Sequence, residues 1–311
     1  MTSLLAILLA LFGAFALYIA AQSAKSETNP AAYIDASQNL PGWAYIFAGS
    51  GALLASVGPY DYLRLLSVYG FQANQLVLSL TLVALITALF QKRLWLAARI
   101  TGSRSLGEVL GAHYQSTSIR IYLLGVLFLF AVPFAATLLG SAGELLARAS
   151  DGATSRVAAT SVVAAFLFLA SALGGWRAMV YIIAALSTVT LALLVFSASF
   201  ASLVFDGLSV FHKGFSVREG ILGNVLPGVI QFSSGIGREV PAGGLWTTTA
   251  VLSFALAAVG AALSPSFGFL GLTMKSRSGF AFSQVWIISG LAAGALLLFG
   301  PIVAGEMGPA Y

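Results

Sequence analysis

The sequence predicts an all-α, polytopic membrane protein with about eight transmembrane helices. Of its 311 residues, 59% are hydrophobic and only 8% are charged, where soluble domains carry roughly 25% charged residues. Mean hydropathy is +0.95. The apolar runs extend for about 20 residues or more, the length of helix that crosses roughly 30 Å of hydrocarbon. A transmembrane barrel would instead show segments of about ten residues with alternating polarity. A spanning segment must satisfy its own backbone, so helices follow.

Spans are expected at 3–23, 44–66, 71–97, 119–147, 157–174, 178–205, 245–267 and 281–304. The first has the position of a secretory leader, and Ala20–Ala24 offers a cleavage site. However, no basic residue precedes the run, and the run exceeds a usual leader core. It is therefore kept as a span. The second is interrupted: YIFAGSGALLASVGPYDY, residues 45–62, is apolar up to Ser56-Val57-Gly58-Pro59, and Asp61 follows. Pro133 should kink the fourth span. Gly174-Gly175 reads as a tight turn between the fifth and sixth, and Ser264-Pro265-Ser266 bends or ends the seventh.

Two segments between spans stand out. Residues 98–118 are polar and basic, and Ser103 is the expected cap of a short helix lying at the inner surface. Residues 206–243 form a long outer loop, part of it a surface helix or lid. After Gly305 only a short tail remains, and no soluble domain is expected to follow.

Orientation follows from the basic residues beside the spans. With the N-terminus outside, the inner loops hold nine: Lys25, Lys92, Arg93, Arg99, Arg104, Arg120, Arg177, Lys275 and Arg277. The outer side holds six: Arg64, Arg148, Arg156, Lys213, Arg218 and Arg238. The last three share one long loop. An even number of spans then leaves both termini outside the cell's inner (plasma) membrane. The net charge of +5 suits topology and contact with the lipid bilayer, and no nucleic-acid partner is expected.

Chemistry-bearing groups are sparse. There is no cysteine, and His113 and His212 sit in polar stretches. Gly235-Ile236-Gly237 follows no strand and is no nucleotide fingerprint. No phosphate loop, zinc spacing or buried carboxylate pair is visible, so neither an enzyme nor a resident cofactor is expected. Two readings of the break at residues 56–59 remain. It either opens the backbone toward a ligand or simply ends one helix, with Pro59 starting the next. The small residues Gly49, Ser50, Gly51 and Ala52 suit a neighbouring helix or a ligand. Asp61 is a functional group or the partner of Arg64, three residues on. Glu144 and Arg148 read as a pair at the interface. Thr247, Thr248, Thr249 and Ser253 line a polar path or bond back to their own helix.

Several pieces, in order, resemble the solute:sodium symporter family, which includes the sodium/proline symporters. YIDASQNLPGWAYIFAGSGALLASVGP looks like the family's lead into its first core helix. LGEVLGAHYQSTSIRI is similar to its Pro-Glu-Phe-Leu cytoplasmic stretch. GGWRAMVYIIAALSTV matches its Gly-Gly turn before the fifth core helix, and ALSPSFGFLGLTMKSRSGFAFSQVWII its sixth helix and basic loop. The resemblance implies the first part of a five-plus-five inverted-repeat core. The chain is then a single membrane domain over 1–311: a leading helix (3–23), a first five-helix repeat (44–205), the outer loop (206–243) and the start of a second repeat (245–304).

It also implies a small solute bound beside the interrupted first helix, with Ala52, Ala55, Ser56 and Gly58 contributing backbone or small side chains. Sodium would be held by the carbonyls of Gly51 and Leu54. There are departures. The family's Gly-Gly-Arg before the first core helix reads Ala36-Ser37-Gln38 here, and the first-helix aspartate of the sodium/proline symporters reads Leu53. An aspartate and a glutamine that follow the Gly-Gly turn read Ile183 and Leu186. The resemblance runs out after core helix seven, before the eighth helix and its sodium-binding hydroxyls. The expected function is thus sodium-linked small-solute symport by a component that needs a second membrane polypeptide or a second copy. The alternatives are a symporter-like module serving as a sensor input or structural subunit, and a truncated product with no function of its own.

Overall fold

In a computed structural model, helices account for nearly all of the described residues, which are 2–26, 29–58, 61–62, 64–66, 73–150, 152–204, 248–280 and 287–297. We number the helices α1 (Thr2–Ser26), α2 (Pro30–Asp35), α3 (Gly42–Val57), α4 (Asn74–Ser79), α5 (Thr81–Ile86), α6 (Lys92–Thr101), α7 (Leu106–His113), α8 (Thr117–Ala149), α9 (Arg156–Val204), α10 (Thr248–Ala262), α11 (Pro265–Leu272) and α12 (Ile287–Leu297). A π turn, Thr87–Gln91, joins α5 to α6. No strand occurs among the described residues, where the nearest thing is an isolated bridge between Leu40 and Met274.

Four of the described helical stretches are long and apolar enough to cross a membrane: Ala6–Lys25, Asn74–Thr101, Thr117–Ala149 and Arg156–Phe200. The number is five if α10 and α11 count as one bent span. These lengths are compatible with an integral membrane protein. The last stretch, of 45 residues, is about twice what a bilayer needs. Gly175 divides it, at φ +61° and ψ −159°. The outer loop at 206–243 and Thr247 lie outside the described residues.

Contacts divide the chain into two units. The first holds Met1–Ala48, Gln91–Ala185 and Pro265–Gly279; the second holds Gly49–Phe90, Leu186–Ser264 and Phe280–Tyr311. In the first, α1 lies against α9 through buried Ala16, Ala170 and Ile182, flanked by Phe12, Ile19, Phe166 and Met179. The approach is close because the contact residues are small. A Cβ added at Gly174 would come 2.7 Å from the Ala20 carbonyl oxygen and 2.8 Å from its Cα. At Gly143, it would come 2.8 Å from Thr160 Cα. A smaller core of Ala98, Val109 and Leu272 joins α6, α7 and α11. In the second unit, α10 packs along α4 and α5.

The short helix on the basic segment begins later than the sequence suggested. Ser105, not Ser103, caps α7: its Oγ accepts the Glu108 N–H at 3.2 Å. Ser103 instead shares a 2.7 Å hydrogen bond with Thr101. The cap fell to the serine with a glutamate three residues on, a spacing that lets side chain and backbone answer each other. Two other expectations have a structural outcome. α8 continues as one helix through Pro133. Ser253 Oγ bonds back to the Thr249 carbonyl at 2.7 Å.

Candidate functional site

In the second unit, α3 stops at Val57 and Gly58 adopts φ +66°. An L side chain is strained there, whereas glycine is not. The chain is still bonded across the interruption. The Gly58 N–H donates to the Leu54 carbonyl at 2.9 Å, and the Gly58 carbonyl accepts from Tyr62 N–H at 2.9 Å. Helical backbone returns at Asp61. A Cβ at Gly58 would lie 2.9 Å from Asp61 Oδ2, so the carboxylate folds back over the break. Pro59 and Tyr60 lie outside the described residues.

The sequence-derived site residues take these places. Gly51, Ala52, Ser56 and Gly58 are half-buried and Ala55 is exposed. Ser56 Oγ donates to the Leu53 carbonyl at 2.7 Å. The Leu54 carbonyl, one of the two implied sodium ligands, already accepts the Gly58 N–H; its second lone pair is a further acceptor. Gly51 lies inside the continuous helix. Two carbonyls alone are too few for a cation, and no group of three or more His, Asp or Glu suited to a metal occurs among the described residues. Leu53 and Leu54 are only 1% and 3% exposed. On either side of the break, buried polar contacts tie α3 down: Ser50 Oγ donates to the Ile288 carbonyl at 3.2 Å, and the Tyr62 hydroxyl bonds Asn74 Oδ1.

In the first unit, the stretch Asp35–Leu40 forms a strap that sequence reading did not anticipate. Ala36, Ser37 and Gln38 all have positive φ, at 53°, 54° and 49°. Left-handed backbone costs an L residue roughly 1–2 kcal/mol, so three in a row cost on the order of 3–6 kcal/mol. Charged donors offset this. Arg99 donates to the carbonyls of Gln38 and Met274, each at 2.7 Å. Arg177 donates to the Ala36 carbonyl at 3.1 Å. Buried Asp35 accepts the Ser37 N–H at 2.9 Å and pairs with Arg104 at 3.5 Å. Hydrogen bonds to charged groups contribute roughly 1.5–3 kcal/mol each, enough to hold the turn. Leu40 then pairs with the chain after α11, its N–H donating to the Thr273 carbonyl at 3.1 Å and its carbonyl accepting from Lys275 at 3.0 Å.

A second missed group sits deeper in the same unit. The Tyr45 hydroxyl donates to Gln91 Oε1 at 2.8 Å. Gln91 Nε2 donates to the Phe267 carbonyl at 3.4 Å. Tyr45 is 0% and Gln91 5% exposed. The π turn ending at Gln91 inserts one extra residue into the helix, a device frequent at functional sites. In sequence, Gln91 beside Lys92-Arg93 reads only as the polar flank of a span. A left-handed Ala-Ser-Gln gives no compositional warning at all. The expected Glu144–Arg148 pair is present, and Arg156 approaches the same carboxylate at 3.7 Å.

No protein-family model, no curated protein and no solved structure matches the chain.

Proposed function

We propose that this chain is a component of a secondary transporter of the cell's inner membrane, linked to sodium, moving a small solute, and working with a further membrane polypeptide or a second copy. The observation that carries the reading is the end of α3 at Val57, with left-handed Gly58, inside an apolar segment. Gly58 itself stays bonded on both sides, but Pro59 has no N–H to donate to the Ala55 carbonyl, and a solute or ion can take that place as partner. A second observation supports it. Ala36 and Ser37 keep a conformation that glycine adopts freely, at the two positions where the solute:sodium symporters carry the glycines of Gly-Gly-Arg. The eight-span count takes α9 as two spans meeting at Gly175. The process is binding linked to conformational change, with no covalent step.

The test is uptake into proteoliposomes holding the chain with whatever co-purifies from native membrane. Amino acids, carboxylates, sugars and urea-like solutes form the panel. Accumulation is expected only under an inward sodium gradient. Gly58→Val should abolish it, since the side chain meets both the positive φ and the Asp61 carboxylate, a penalty of roughly 1–3 kcal/mol. Uptake indifferent to sodium rejects the coupling.

One observation favours a second reading. Leu53, where the sodium/proline symporters carry an aspartate, is 1% exposed. An apolar residue packed there removes the cost of a buried charge and suits a sensor-input or structural module. Failure of uptake for the whole panel, with a signalling protein among the co-purifying chains, would favour this reading.

A further inference from the structure

We propose that the junction of α6, α7 and α8 is a docking surface for an anionic phospholipid, with the headgroup in a polar cleft and the acyl chains along α8. The inference rests on the membrane reading alone and not on transport.

Charge comes first. Between Lys92 and Tyr122 the chain carries Lys92, Arg93, Arg99, Arg104 and Arg120, all exposed, and a single carboxylate, Glu108. That carboxylate is already neutralised: Oε1 accepts from Arg120 at 2.9 Å and Oε2 from the Arg104 N–H at 2.7 Å. Asp35 pairs with Arg104 from outside this stretch, and the surface left over, with Lys92, Arg93 and Arg99, is still positive.

Shape comes second. The end of α6, the length of α7 and the start of α8 enclose a cleft of ≈ 380 Å³ lined by Ser103, Gln115, Ser116, Thr117 and the Glu108–Arg120 pair. Hydroxyls, an amide and a guanidinium suit a phosphodiester with its glycerol. Arg120 has five N–H donors, so it can hold Glu108 and a phosphate together.

The apolar flank decides between a lipid and a free anion. Leu96, Ile100, Tyr114 and Tyr122 stand among these cations, 54%, 77%, 61% and 74% exposed. In water such a mixture wastes apolar surface. At a bilayer interface the cations meet headgroups while their apolar neighbours meet acyl chains. From Tyr122 onward α8 continues as a helix long enough to span, with 0% of its apolar window buried. The cleft therefore opens at the foot of a surface made for acyl chains. Inorganic phosphate would use the cleft and leave that flank bare.

The test is native mass spectrometry of the purified chain titrated with phosphatidylglycerol or, in parallel, phosphatidylethanolamine. Phosphatidylglycerol should bind preferentially. Because each Lys or Arg near an anionic surface strengthens binding about fivefold, the double variant Arg104→Gln/Arg120→Gln, beside and within the cleft, should weaken it about 25-fold. Arg148→Gln/Arg156→Gln, with the same charge lost elsewhere, should leave it unchanged. Raising the salt during titration of the unaltered chain should also weaken binding, which requires no variant to fold. Equal binding of the two lipids, equal losses in both double variants, or displacement of the lipid by inorganic phosphate would overturn the proposal.

Discussion

Ser37 is exposed and sits at φ +54° in the middle of three left-handed residues. Replacing it with glycine removes the steric penalty without emptying any packed space. The same change loosens the unfolded chain, which takes back part of the gain. Ser37→Gly is therefore expected to stabilise the chain by about 1 kcal/mol, read as a higher midpoint of thermal unfolding in detergent. Gly175→Ala should do the opposite. Its φ is +61°, and a Cβ there would fall onto the Tyr33 carbonyl, so a loss of roughly 1–3 kcal/mol is expected. The two glycine-like positions differ in legibility. Gly174-Gly175 was readable as a turn because glycine advertises its backbone. Ala36-Ser37-Gln38 was not, because its conformation is imposed from outside, by Arg99, Arg177 and Asp35. If Ser37→Gly leaves stability unchanged, the turn is unstrained and its arginine contacts are incidental.

Helices were legible where length and hydropathy alone decide them, and illegible where a tertiary partner does. The break in α3 was visible because Gly58-Pro59 punctuates an apolar run. The π turn at Thr87–Gln91 was not, since TALFQ has no residue that refuses ordinary helix. Its consequence is measurable: the extra residue swings Gln91 to meet Tyr45 and the Phe267 carbonyl. Tyr45→Phe should cost about 1–2 kcal/mol, because Gln91 Oε1 loses a donor in a buried place. Gln91→Leu should cost a similar amount, as the Tyr45 hydroxyl and the Phe267 carbonyl lose the same partner. If the three groups form one network, the double variant Tyr45→Phe/Gln91→Leu will cost less than the sum of the two, by about 0.5–3 kcal/mol. Strict additivity in chemical denaturation would mean that Gln91 is held by other contacts and that the π turn serves a different neighbour.

For the molecule as a whole, orientation can be tested. The alternation of the expected spans assigned residues 24–43, 98–118, 175–177 and 268–280 to one side of the membrane, and the count of basic residues made that side the inner one. Within the first unit these four stretches are bonded to one another: Arg99 to Gln38 and Met274, Arg177 to Ala36, Trp176 Nε1 to Thr273 Oγ1 at 3.2 Å, and Gln38 to the Ser103 carbonyl at 3.2 Å. An odd error in the number of spans between any two of them would put them on opposite sides, whereas an even one would not. These bonds are compatible with a shared side, and the side expected is the one given by the positive-inside bias. The chain has no cysteine, so single cysteines report without background. Ser37→Cys, His113→Cys and Ser278→Cys replace exposed residues of the shared side, and Ala153→Cys replaces an exposed residue between α8 and α9. In intact cells a membrane-impermeant maleimide is expected to label Ala153→Cys alone, and the other three only after permeabilisation. The reversed pattern would turn the protein over in the membrane and place its basic surface outside. Labelling of just one or two of the three would mean that the four stretches do not share a side and that the span count fails between them.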